Sequence, residues 1–152
     1  MSAWDWLVQA HGAPGVEGVC LALQDGHGQC VSFLLWRAWA ACEGRAVSDA
    51  ELARAATLAR AWEANVSAPV RAVRRRLKSP LDGVREEARL AYRQGLFAQE
   101  LGAEKVLVDA LEAMTPAPAG PRQDALAALA QAAQVYGPGA PLDLLEKLAG
   151  AC

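Results

Sequence analysis

The residues best equipped for chemistry are a basic run, Pro69-Val70-Arg71-Ala72-Val73-Arg74-Arg75-Arg76-Leu77-Lys78. At helical spacing Arg71, Arg74, Arg75 and Lys78 stack along one side, with Arg76 off to one flank. Guanidinium groups bind carboxylates and phosphates through paired hydrogen bonds, so this row suits an acidic protein or a phosphate-bearing ligand. The competing reading is a solvated helix face whose arginines pair with nearby acids such as Glu86 and Glu87. Nucleic acid is the less favoured partner. The chain has a net charge of −2, and almost no Asn, Gln or Ser stands where a base-reading helix would need one. A helix–turn–helix pair with the segment from Ser48 fails on the same ground.

All five tryptophans, Trp4, Trp6, Trp36, Trp39 and Trp62, lie in the first half of the chain. Each buried indole needs a partner for its N–H, which Gln24, Asp25 or a backbone carbonyl would supply. If the cluster fills incompletely, Trp36, Trp39, Trp62, Gln24 and Asp25 would bound a ligand pocket; packing alone is the plainer reading. Cys20, His27 and Cys30 gather around a turn, but their spacing matches no compact metal motif, so neither a metal site nor a cofactor is expected. The four cysteines, Cys20, Cys30, Cys42 and Cys152, are expected to stay reduced as small apolar side chains, with Cys152 exposed at the end. Asp25 and His27 could pass a proton, yet no nucleophile stands beside them, and Asp before Gly at a helix end is ordinarily a turn residue. No reaction is assigned, and the reading leans away from an enzyme.

The elements that must position these groups are all helical. Alanine and leucine dominate, apolar residues recur three and four apart, and no credible strand is found, which gives an all-α class: a compact bundle of about seven to nine helices without a sheet. Ser2 caps a short first helix, and Pro14 opens a second that ends in Asp25-Gly26-His27-Gly28. The stretch from about Gln29 to Glu43 has almost no polar face and reads as a central helix. Ser48 and Glu51 have capping-box spacing for the next helix, in which Pro69 either makes a kink or begins a new segment. A long helix is expected from about Asp82 to Leu101, with Val84, Ala88, Ala91 and Gly95 inward, followed by a shorter one holding Val106 to Met114.

With 152 residues, 53% of them hydrophobic, the chain can close one sizeable core. Residues 1–114 read as that core domain and 115–121 as a Pro-rich linker. Residues 122–152 read as helices packing on the core or on a second copy, which would make a homodimer. The start, Met1 to Trp6, lacks the pattern of a secretory signal, and no apolar run approaches the ~20 residues of a membrane span, so a cytoplasmic protein is expected.

Two blocks of sequence resemble a proteobacterial family of about this length that is a domain of unknown function. The first is Pro14-Gly15-Val16, Cys20-Leu21-Ala22-Leu23-Gln24-Asp25, Gly28 and Leu34-Leu35-Trp36; the second is Trp62 followed by the basic run from Pro69 to Lys78. The resemblance covers roughly the first half and implies no reaction. After the turn the family has Asp-Val-Asn where this chain has Cys30-Val31-Ser32, so no polar role carries over there. The expectation is therefore a non-enzymatic helical interaction protein that docks an acidic or phosphate-bearing partner through its basic helix. The alternative is a small-molecule or metal-binding helical domain built on the tryptophan-rich half.

Overall fold

The computed structural model describes residues 1–151, and every regular element among them is helical. The α-helices are α1 (Ala3–His11), α2 (Val16–Leu21), α3 (Val31–Cys42), α4 (Asp49–Trp62), α5 (Ala68–Arg76), α6 (Glu86–Ala113), α7 (Ala125–Tyr136) and α8 (Leu142–Ala149). Two wider π-helical segments, Ala22–Gly26 and Glu63–Ser67, extend α2 and join α4 to α5. No helix among the described residues is long and apolar enough to cross a membrane.

The run without a polar face becomes the centre of the molecule. Eleven of the twelve residues of α3 are buried, and α1, α4, α6 and α7 all pack on it. Phe33 and Leu34 have no exposed surface, and burial of such side chains stabilises the fold by about 1.5–3 kcal/mol each. The expected caps form. The Ser2 side chain accepts from the Asp5 amide, and Ser48 and Glu51 close a reciprocal capping box at the start of α4.

Pro69 stands in the first turn of α5, the second of the two placements expected for it. The chain is helical from Asp49 to Arg76, with the π segment Glu63–Ser67 between α4 and α5, and a missing backbone donor costs least in the first turn where Pro69 lies. An extra residue in a wide turn rotates the following side chains by about 100°, which resets the face α5 presents.

Two expectations are corrected in α6. It is one 28-residue helix with no break near Leu101, because Gly102 sits mid-helix without interrupting it. Val84, Ala88, Ala91 and Gly95 are exposed, and Arg89 is the buried residue of that stretch. Its guanidinium donates to the carbonyls of Leu77 and Lys78, tying α6 to the cap residue of α5 and the residue after it.

The Pro-rich segment is fastened rather than loose. Thr115 accepts from the Trp36 indole, the Pro116 carbonyl accepts from Arg45, and the Ala119 and Gln123 amides donate to the carbonyls of Gly44 and Ala41. It leads into α7, which lies along α3 and α4, and α8, which packs on α7 and α2; Leu129, Leu145 and Leu148 join the same core. At the strap's crossing point Gly44 has φ +65°, and a Cβ there would collide with the Gly120 carbonyl. Gly44→Ala is expected to destabilise the protein by about 1–3 kcal/mol, read as a lower urea midpoint, because it combines left-handed backbone strain with a clash against backbone.

Cys20 and Cys30 are free and buried. Cys42 is disulfide-bonded, so the expectation of reduced thiols does not hold there. The expectation for Cys152 lies outside the described residues.

Candidate functional site

Three of the four bases in the expected row turn onto acids of their own chain. Arg71 is buried and reaches two carboxylates, with Nη1 2.7 Å from Glu63 Oε1 and Nε 3.0 Å from Glu100 Oε1. Arg74 Nε donates to the other oxygen of Glu100. Arg75 Nη2 donates to both oxygens of Asp25, at 2.8 and 2.9 Å. That contact, with a second hydrogen bond from Gln24, holds the Asp25 carboxyl below its ordinary range. Lys78 and Arg76 are exposed and have no acidic partner among the described residues.

Both π segments contribute to this network. Asp25 belongs to the first and Glu63 to the second, and α5 brings its arginines between them and Glu100 of α6. Wide helical turns of this kind often occur at functional sites.

Beside the network lies an open cleft of about 350 Å³, enclosed by α1, α2 with its π segment, the start of α3, α5 and α6. Leu7, Val31 and Leu35 line it among other apolar groups, and Val8, Leu21, Phe97 and Leu101 do so while remaining about half exposed. Its polar lining includes Gln24, Ser32, Arg74, Arg75, Glu100 and Glu104. Glu104 makes no hydrogen bond or ion pair among the described residues. Burial, reinforced by the Glu100 carboxylate, pushes its pKa up to about 7. Cys20 also lines the cleft, but burial, with Glu104 and Glu17 adding to it, pushes its thiol up to about 11. It therefore stays protonated near neutral pH and is not a ready nucleophile.

The matching family model is that of a protein of unknown function, DUF2390, and it spans residues 2–111. The chain belongs to this family. Every residue lining the cleft falls inside the DUF2390 region, which runs from the cap of α1 nearly to the end of α6, while α7 and α8 lie beyond it. No curated protein and no solved structure matches the chain.

None of Trp36, Trp39 and Trp62, named as bounds of a pocket should their cluster fill incompletely, lines the cleft. Trp36 and Trp39 are core, and their N–H groups donate to Thr115 Oγ1 at 2.9 Å and the Met1 carbonyl at 3.2 Å. Trp62 donates to the Ala103 carbonyl. Of that set only Gln24 lines the cleft, Asp25 sits behind Arg75, and the tryptophan that does line it is Trp4. His27 is exposed while Cys20 and Cys30 are buried, and no group of three or more His, Cys, Asp or Glu among the described residues is placed to hold a metal. Sequence reasoning missed Glu100 and Glu104. The signal was present: Phe97, Glu100, Leu101 and Glu104 continue the same helical stripe as the buried Leu107, Val108 and Leu111, so two acids occupy positions that periodicity assigns to an inward face.

Proposed function

We propose that this is a small-molecule-binding helical domain whose ligand lies with an apolar body in the cleft between α1, α2 and α6. The observation that carries the reading is the cleft itself, since about 350 Å³ is within the ~300–1,000 Å³ of ligand pockets and its walls are apolar with a few convergent polar groups. The half-exposed Val8, Leu21, Phe97 and Leu101 at one cleft support it, because a bound aliphatic or aromatic group would remove that surface from water. The test is a methyl-NMR titration with 1-octanol, a neutral amphiphile. Saturable shifts confined to Leu7, Leu35 and Leu101 are expected. Shifts that stay linear in concentration, or scatter over the surface, would sink the reading.

A second reading, docking of an acidic or phosphate-bearing partner on α5, is favoured by exposed Arg76 and Lys78, which have no acidic partner among the described residues. It now centres on these two residues with the half-exposed Arg75, since Arg71 is enclosed. Replacing Arg76 and Lys78 by Glu is expected to leave melting unchanged, as surface charges do. A salt-sensitive partner captured by wild type and lost by this variant would favour docking, and equal capture would remove it.

A further inference from the structure

Resting on the cleft reading, we infer that the ligand's head group is a cation, a protonated amine received by Glu104, with an apolar tail against Leu7, Leu35 and Phe97. The charge balance of the walls decides the sign. Each arginine beside the cleft is already matched: Arg71 by Glu63 and Glu100, Arg74 by Glu100, and Arg75 by both oxygens of Asp25. With the three arginine charges balanced by Glu63, Glu100 and Asp25, an anionic ligand would find only the remaining N–H donors of Arg74 and Arg75 and no unmatched positive charge. Glu104 is the opposite case, a part-buried carboxyl in the cleft with no hydrogen-bond or ion-pair partner among the described residues. A polar group left in that position gains the most from a ligand that supplies the missing donor and charge.

The other charged groups near the cleft agree with this sign. Glu17 adds a second carboxylate at the exposed rim. Lys105 is paired with Asp109 at 2.6 Å, and His11 is exposed at the edge. The Phe97 and Trp4 rings are already faced by the Arg74 guanidinium at 5.7 Å and the Lys105 ammonium at 5.9 Å, so the head group is assigned to Glu104 and not to a ring. The volume favours a short amphiphile over a macromolecular partner.

Octylammonium, 1-octanol and octanoate share one tail and differ in the head, so they separate the head-group inference from the cleft reading. Affinities are measured by calorimetry on the full chain at ~pH 8.5, where Glu104 is ionised and the amine remains protonated. Wild type is expected to bind octylammonium roughly tenfold more tightly than octanol, the effect of one charge-assisted hydrogen bond, and octanoate most weakly. Glu104→Gln is expected to erase the preference for octylammonium over octanol. Octanol binding without a preference for the amine, or a preference that survives in Glu104→Gln, would overturn the cationic head group and leave the cleft reading standing. Binding of none of the three would overturn both.

Discussion

Arg71→Glu is expected to lower the unfolding free energy by about 3–5 kcal/mol, the cost of breaking a buried ion pair from one side, measured by urea denaturation followed by circular dichroism. Much of a domain's total stability, typically about 5–15 kcal/mol, would be lost. The physical reason is specific to the site. Arg71 is 8% exposed and sits between Glu63 and Glu100, with Glu104 one turn further along α6, so the substitution replaces the central cation with another carboxylate. Arg75→Glu, four residues on, is expected to cost at most about 1 kcal/mol, because both Arg75 and its partner Asp25 are substantially exposed and solvent screens the pair. The two arginines look equivalent in a helical projection, yet they differ in what lies over them. A urea midpoint for Arg71→Glu equal to wild type would show that the Glu63–Arg71–Glu100 network does not hold α5 against α6.

That contrast marks what the sequence alone could reveal. Local signals translated directly: Ser48 and Glu51 specify a capping box through three residues of chain, and the apolar circumference of α3 requires neighbours on every side. The arginine row was also legible as a row. Its orientation was not, because the partners of Arg71 and Arg75 come from α6 and from the first π segment, and no periodicity within α5 encodes them. The π segment before Pro69 resets the helical phase and so removes the simple extrapolation from α4 to α5. Similarly, proline content gives the stiffness of residues 115–121 but not their attachment, which depends on Arg45, Gly44 and Ala41 across the fold. The cleft was legible only as an inconsistency: Glu100 and Glu104 occupy a stripe that continues into buried leucine and valine, and such local conflicts concentrate at functional sites.

Glu104→Gln is expected to stabilise the protein, and only at higher pH. The folded-state pKa of Glu104 is about 7, above its ordinary value of 4.5, because burial and Glu100 disfavour the charged form. Between those values the folded protein retains a proton that the unfolded chain has released, so stability falls as pH rises across that window. Below the lower value both states are protonated and the group is neutral in effect; above pH ~7 the full penalty for the buried charge is present. Removing the charge should therefore raise stability by about 2 kcal/mol at ~pH 8, after discounting for partial exposure, and by almost nothing at ~pH 4, checked by melting at both pH values. The same substitution is expected to remove the preference for octylammonium, so stability and binding would move in opposite directions at one residue. A side chain that weakens the fold yet faces a cleft fits a site at which stability is given up for recognition. If Glu104→Gln instead destabilised the protein at both pH values, the carboxyl would have to be serving the fold itself, and its position in the cleft would no longer point to a ligand.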